Sequence, residues 1–421
     1  MFILSKKIIN QIFFRSKVAL YFFLYLPLYI IFFPILLLIR LISPFFIIRF
    51  GELVSSRIGH LAANTELYLC EKDSKINIPN KPYIDIFYLR DKPYCNKFLI
   101  KKWHEIIHIL PKWVIHPLNT LNNAIPFGNN HKIGNNTQGD RDVLNLLDRY
   151  KPHITLTKEE EIMGQTILNE MGITLNSRFV CLLVRDSAYL NTIITNGNWD
   201  YHNYRDCDIE NYLLAAEYLA EQGFFVVRMG KKVIKPFVSN KTGIIDYANS
   251  KYVSDFMDIY LGAKCTFCIS TGAGWDAVPA WIFRKPTIFT NLVPFGYLPT
   301  FSDKFLLTTK RHYSQILKRE LTASEIYSFG AYNFLHTSSY NDKQFFLIEN
   351  TSEELKDVVI EMIAYINLEM HENRTEEIIS KRFWKLYSEL NYTFSPNNFL
   401  HGKLKSRFSY SYLKNNQQWI N

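Results

Sequence analysis

Apolar and polar positions divide this chain into an apolar N-terminal stretch and a long alternation of strand-like and helix-like segments. Val18 to Ile39 carries no charge and is almost wholly apolar, a length that suits a membrane span. After it, Phe46–Phe50 reads as a strand, Leu61–Cys70 as a helix and Tyr83–Leu89 as a strand. Lys97–Leu110 reads as an amphipathic helix, Trp113–Ile115 as a short strand and Lys158–Met171 as a helix. A second series opens with strand Phe179–Val184 and a long loop, Ser187–Asp206. It continues with helix Ile209–Gln222, strand Phe224–Arg228, helix Val253–Leu261 and strand Thr266–Ser270. Helix Trp275–Phe283 and strand Thr287–Thr290 complete it, and helices Ser352–Ile366 and Glu372–Leu390 precede a basic, aromatic tail.

Strand and helix alternation of this kind argues for parallel, doubly wound α/β sheets with right-handed crossovers. Two series imply two Rossmann-like domains facing a cleft, with the seam near Gly172–Asn176. The expected layout is an apolar segment over 1–45, a first domain over 46–175, a second over 176–366 and a C-terminal helix and tail over 367–421.

Composition adds limits. The chain has 421 residues and 48% apolar content, enough for two packed cores. Its net charge of +9 is spread along the sequence, and no basic run interleaved with aromatics marks a nucleic-acid partner. A diffuse positive balance fits an anionic membrane surface or a phosphorylated ligand. The six cysteines are scattered; Cys265 and Cys268 lie within one strand and face opposite ways, which argues for buried thiols and against a zinc knuckle.

Lys6, Lys7, Arg15 and Lys17 precede the apolar stretch and predict a cytoplasmic N-terminus. Pro27 and Pro34 interrupt the stretch, and Arg40 and Arg49 flank its far end. A kinked re-entrant or interfacial helix pair keeps the rest of the chain on the cytoplasmic face. A single span and an apolar core helix are the alternatives.

The segment with most chemistry is Ser270-Thr-Gly-Ala-Gly274, where a strand ends and a helix is expected. Backbone N–H groups and the helix dipole converge there on an anion, and glycines let a phosphate approach. The spacing of Thr271-Gly-Ala-Gly-Trp-Asp-Ala277 fits a dinucleotide turn, but several βα units precede it and the next strand ends in Asn291 rather than an acid. That argues against NAD and for a nucleotide diphosphate. A turn that needs glycine only for packing is the structural alternative.

Arg185 and Asp186 leave the C-terminal end of one strand, and Arg228 and Lys231 the end of the next, where open α/β sheets bind ligands. Arg185, Arg228 and Lys231 would hold a departing diphosphate; Asp246 would contact the donor's sugar or ribose. Each is equally readable as a solvated strand-end charge. Tyr189, Trp199, Tyr201, His202 and Tyr204 suit a sugar ring or ordinary loop packing. Asp140-Arg-Asp142 and Asp206-Cys-Asp208 are DxD-like, although Asp208 reads more simply as a helix cap. His60, in Ser55-Ser-Arg-Ile-Gly-His60, is a candidate general base on the acceptor side, or a capping or core histidine. His104-Glu-Ile-Ile-His108 matches the zinc-protease pattern HExxH, but Lys97 and Lys101 share that helix face.

Arg57-Ile-Gly-His60, Arg185-Asp-Ser-Ala-Tyr189, Tyr204-Arg-Asp-Cys-Asp-Ile-Glu-Asn-Tyr212 and Arg228-Met-Gly230 occur in that order. Ile245-Asp-Tyr-Ala248, Asp255-Phe-Met-Asp258 and the Ser270–Asn291 block follow. Together, over roughly residues 48 to 365, they resemble a bacterial family of glycosyltransferases associated with surface polysaccharide loci. The resemblance implies a GT-B-like architecture, acceptor domain first and nucleotide-sugar domain second.

The resulting expectation is a membrane-associated glycosyltransferase on the cytoplasmic face of the inner membrane. It moves a sugar from a nucleotide-diphosphate donor to a surface-polysaccharide or lipid-linked acceptor. Catalytic roles fall to His60, Arg185 and Asp186, and donor binding to Arg228, Lys231, Asp246, Ser270, Thr271, Gly272, Ala273 and Gly274. The nucleotide-sugar is a co-substrate, and neither cofactor nor metal is expected. The rival readings are a catalytically silent, membrane-tethered glycan-binding protein and a zinc hydrolase.

Overall fold

The structure, a computed structural model, describes residues 26–133, 139–193, 199–368, 374–395 and 400–419. The chain divides into two compact units. One comprises Met1–Ser56, Glu71–Cys95 and Ile100–Asn135; the other comprises Arg57–Cys70, Asn96–Leu99 and Asn136–Asn421.

The first unit begins with helix α1 (26–41), which runs through Pro34. Strands β1 (Ile47–Leu53) and β2 (Tyr83–Leu89) follow; α2 (Ile58–Asp73), which lies between them in the chain, belongs to the second unit as far as Cys70. Helix α3 (Lys97–His104), part of this unit from Ile100 on, β3 (His108–Ile109) and α4 (Lys112–Ala124) complete the series. The strands form a parallel sheet in the order β1-β2-β3, with Ile47 opposite Tyr83. Phe32, Leu36 and Ile39 of α1, at helical spacing, pack on Phe50, Tyr88, Ile115 and Leu118. Buried Arg49 and Asp85 pair across β1 and β2 at 2.6 Å.

Positions 18–25 of the apolar stretch, and the basic residues before it, lie outside the described residues. Among the described residues, no helix is long and apolar enough to cross a membrane.

Two expectations fail in this unit. Trp113–Ile115 belongs to α4, not to a strand: Pro111 stands at the N-cap, where its fixed φ suits a helix start. The HExxH helix is also absent. α3 ends at His104 and His108 opens β3, so the two imidazoles do not share a helix face. Glu105 is paired with Lys102 at 2.7 Å, and the zinc-hydrolase reading loses its geometric basis.

The second unit is doubly wound. Its elements are α5 (Lys158–Glu170), β4 (Arg178–Leu183), α6 (Ala188–Ile193), α7 (Leu213–Glu221), β5 (Phe224–Arg228) and β6 (Ile244–Ile245). Then come α8 (Asp255–Lys264), β7 (Phe267–Ser270), β8 (Thr287–Leu292) and β9 (Phe305–Thr309). A small antiparallel sheet unforeseen from the sequence follows: β10 (Arg311–Ser314), β11 (Arg319–Glu320) and, after α9 (Ala323–Ser328) and α10 (Thr337–Asp342), β12 (Phe345–Ile348). Helices α11 (Ser352–Ile366) and α12 (Arg374–Phe394), strand β13 (Arg407–Phe408) and α13 (Tyr410–Asn415) end the unit.

The main sheet is parallel throughout, ordered β13-β9-β8-β7-β4-β5-β6. Apolar residues of β4, β5, β7, β8 and β9 pack on Ala215, Ala216 and Leu219 of α7 and on Leu355, Val358, Val359 and Met362 of α11. Thr157, Thr322 and Thr351 begin T-x-x-E boxes, and each closes reciprocally with its glutamate to start α5, α9 and α11. All six cysteines are free and buried.

The strand order fixes where a ligand can sit. From β4 the chain winds outward through β5 and β6. It then returns to the other side of β4 as β7, and continues through β8 and β9. Between β4 and β7 the winding reverses, and open α/β sheets form their binding crevice at the carboxyl ends of the strands at such a point.

Candidate active site

The two strands at the reversal are tied together where they end. The Thr271 N–H donates to the Leu183 carbonyl at 3.2 Å, and the Thr271 hydroxyl accepts the Arg185 N–H at 2.9 Å. Arg185 and the glycine turn therefore share one edge of the sheet, as the sequence pattern suggests.

The turn is held by a carboxylate. Asp276 Oδ2 accepts the Ser270 hydroxyl at 2.7 Å and the Ala273 N–H at 2.9 Å, while Ser270 Oγ accepts the Gly272 N–H at 3.0 Å. Asp276 is buried, and burial pushes its carboxyl up from the ordinary range. Gly272 and Gly274 have φ of +74° and +81°, conformations that cost a side-chain-bearing residue steric strain. The anion cradle expected of this turn is thus partly filled by the protein: the N–H groups of residues 272 and 273 are taken. The expected helix Trp275–Phe283 is also absent. Only a π-helical turn, Val278–Ile282, forms there, with Pro279 inside it. A dipole built over several α-helical turns does not point at this spot.

Positive charge comes instead from arginines. A guanidinium nitrogen of Arg205 donates to the Gly272 carbonyl. Arg185 Nε lies 3.0 Å from Asp206 Oδ1, an ion pair within the protein. Burial, then the Arg205 charge, lower the Arg185 pKa. The Arg57 guanidinium stands 5.3 Å over the Trp199 ring. Among the described residues, neither Arg57 nor Arg205 pairs with a carboxylate.

His202 reports the combined field. Burial, followed by Arg205, Arg185 and Arg57, pushes its imidazole down to about 4, so it is neutral at pH 7. Its Nδ1 is buried without a hydrogen-bond partner among the described residues. The His202 and Tyr201 rings lie 3.9 Å apart, and Tyr201 lies 6.0 Å from Trp199. This row lines the same edge with flat apolar faces beside cations.

The first turn of α2 reaches the glycine turn directly. A Cβ placed on Gly59 would fall 2.9 Å from Gly274 Cα and 3.0 Å from the Gly274 carbonyl oxygen. His60 is the next residue, half-buried, with no side-chain hydrogen bond to a described residue.

The remaining expected ligands are committed elsewhere. Arg228 is 1% exposed and pairs with Asp246 at 3.1 Å. Asp246 Oδ2 also accepts the Phe237 N–H at 2.9 Å and the Asn249 amide at 2.7 Å. This pair fastens the loop after β5 and is not free for a donor. Lys231 pairs with Asp255 at 3.0 Å. Asp186, expected as a catalytic residue, accepts the N–H groups of Ala188 and Ile234, each at 2.9 Å, and so braces two loops.

The DxD readings also dissolve. Asp142 accepts the N–H groups of Leu146 and Leu147, each at 2.8 Å. Asp208 is an N-cap and pairs with Lys235. A further cluster, Glu66, Cys70 and His153, has ligand atoms close enough for a metal. Its centre is served by Arg284, which donates to Glu66 at 2.6 Å and to Cys70 Sγ at 3.4 Å.

The structure therefore gathers Arg185, Ser270–Gly274 and the His60 turn, and adds Arg57, Arg205 and His202. Arg57 and Arg205 stand inside the Arg57–His60 and Tyr204–Tyr212 motifs; their signal was present, but nothing in it ranked them above Arg228.

No protein-family model matches the sequence, and no curated protein matches it. Among solved structures, a glycosyl transferase family 9 protein from Veillonella parvula is similar at 10% identity, over 76% of this chain and 97% of that one, with a TM-score of 0.45. The ADP-heptose lipopolysaccharide heptosyltransferase II of E. coli is similar at 12% identity, over 63% and 90%, with a TM-score of 0.39. The E. coli heptosyltransferase WaaC is similar at 11% identity, over 62% and 93%, with a TM-score of 0.32. These are remote likenesses and transfer no residue role or activity to this chain.

Proposed function

We propose that this chain is a glycosyltransferase that uses a nucleotide-diphosphate sugar. The observation that carries the reading is the cluster of Arg57, Arg185 and Arg205 around the glycine turn, with two of its three charges unpaired by a carboxylate among the described residues. Guanidinium groups bind phosphate oxygens bidentately and remain charged at any working pH. Fixed cations beside the β-phosphate stabilise the charge that develops as the glycosyl bond breaks.

Trp199 and Tyr201 offer flat faces to the donor's base or sugar. His60 is the proposed base that takes the acceptor hydroxyl's proton. The acceptor is proposed to be a surface polysaccharide or lipid-linked precursor, with the reaction at the cytoplasmic face of the inner membrane and the N-terminal apolar segment as the attachment. The motif resemblance supports that biological setting.

The test is a panel of sugar nucleotides, read by thermal shift and by release of free nucleotide, since a ligand that binds only the folded state raises its apparent stability. One donor should be bound and slowly hydrolysed. His60→Ala should retain binding while turnover falls by about a hundredfold or more, the usual scale of general-base removal. Glycan binding with no donor binding across the panel would favour a silent glycan-binding protein.

A further inference from the structure

Helix α1 is apolar on every side, yet among the described residues only one side packs on protein. Phe32, Leu36 and Ile39 are buried in the first unit's core. On the far side, Ile30, Leu38 and Leu41 are 67%, 61% and 73% exposed, and Phe45 just beyond the helix is 80% exposed. A surface helix of a water-facing protein carries polar residues there.

A second observation lies beside the end of this helix. Phe127 has φ +66°, in the left-handed region that aromatic residues avoid, and its side chain is 90% exposed. Arg40, near the end of α1, holds this loop through the Pro126 carbonyl at 2.7 Å and Asn122 Oδ1 at 3.0 Å. The fold thus spends backbone strain to keep an apolar ring in solvent next to an apolar helix face. Backbone strain of this kind points to a function for the exposed ring.

We infer that the outer face of α1, with Phe45 and Phe127, inserts in the plane of an anionic bilayer surface. This rests on the reading of the N-terminal segment as a membrane attachment, but not on the transferase chemistry. Two facts select lipid as the occupant. The sequence before α1 is basic at Lys6, Lys7, Arg15 and Lys17, which complements anionic headgroups. The apolar character also continues through positions 18–25, giving one continuous amphiphile. In-plane insertion, not a span, follows from the inner face: a helix whose Phe32, Leu36 and Ile39 are fixed on β1, β2 and α4 cannot also be surrounded by lipid.

The test uses the full chain with Leu38→Cys labelled by a polarity-sensitive thiol dye, the native cysteines all being buried. It is mixed with vesicles of phosphatidylcholine, with and without phosphatidylglycerol. The expected result is a blue shift on the anionic vesicles, weakened by salt, with quenching by lipids brominated near the headgroup. Leu41→Glu or Phe127→Ser should each weaken partitioning about tenfold, the scale of removing one buried apolar side chain. No shift on anionic vesicles overturns the inference. So does a shift that needs no vesicles: if it grows with protein concentration a second copy covers the face, and if it does not the chain's own N-terminus does. Quenching only by bromines at the acyl-chain ends would mean a span and also overturns it. Donor binding measured on the same sample keeps a failure here separate from failure of the transferase reading.

Discussion

Gly59→Ala tests whether the α2 turn and the glycine turn are one device. Gly59 is the second residue of α2 and has an ordinary negative φ, so propensity alone predicts that alanine stabilises the helix by up to about 1 kcal/mol. The contact predicts the opposite sign. Its new Cβ would meet Gly274 Cα at 2.9 Å and the Gly274 carbonyl oxygen at 3.0 Å, both backbone atoms. Non-bonded carbons rest at about 3.5–4.0 Å, so one turn must move by several tenths of an ångström. Gly274 is held by φ +81° and by the Asp276 hydrogen bonds on its neighbours, so the shift is resisted. Overpacking of this kind costs about 1–3 kcal/mol. The denaturation midpoint should therefore fall despite the better helix former, and nucleotide binding should weaken because the turn carries Arg205's partner carbonyl at Gly272. Equilibrium urea unfolding with an unchanged m-value, followed by titration calorimetry, reads both effects. A variant as stable as wild type, or more so, with unchanged binding would refute the packing of the two turns.

Two further substitutions separate support from chemistry. Arg228→Ala leaves Asp246 without its buried partner and should cost about 3 kcal/mol by chemical unfolding, while the surviving folded protein binds nucleotide diphosphate normally; a selective loss of binding would return Arg228 to the site. Burial pushes the Asp258 carboxyl up to about 6, against a hydrogen bond from Tyr247 that lowers it. Because the folded value is raised, its contribution to stability is full below about pH 4 and is lost as pH rises through about 6. Asp258→Asn, which keeps an acceptor for Tyr247, should match wild type near pH 4 and exceed it by up to about 3 kcal/mol at pH 8; a gap that does not change with pH would refute the assignment.

The architecture was legible where local signals agreed with the packing. Tyr83–Leu89, Phe224–Arg228 and Ser352–Ile366 form as their patterns predict, because apolar runs and a T-x-x-E box coincide with buried strands and a capped helix. Trp113–Ile115 was misread because a short apolar run does not distinguish a strand from one helical turn. The HExxH pattern failed because the chain leaves its helix at His104 to place His108 on the sheet, a tertiary requirement invisible in the spacing.

The site was legible as a place more than as a list. Strand-end charges at 185 and 228 look alike in sequence. Both pair with a carboxylate, Arg185 with Asp206 and Arg228 with Asp246; what separates them is place, because the Arg185 N–H is tied to Thr271 of the glycine turn, where Arg205 also stands with a backbone carbonyl for a partner. The glycine turn reads from the sequence as an anion cradle, but its N–H groups at Gly272 and Ala273 serve Ser270 and Asp276.

The central claim is that Arg57, Arg185 and Arg205 hold a donor diphosphate. Titration calorimetry of a panel of nucleoside diphosphates against wild type, Arg57→Ala and Arg205→Ala measures it most directly. One nucleotide should bind wild type with an affinity that falls with salt. Each substitution should weaken that affinity by about tenfold to a hundredfold, the loss of a charge-assisted hydrogen bond of about 1.5–3 kcal/mol, with unfolding midpoints unchanged. Absence of binding by every nucleotide, or equal binding by folded Arg205→Ala, would contradict the account.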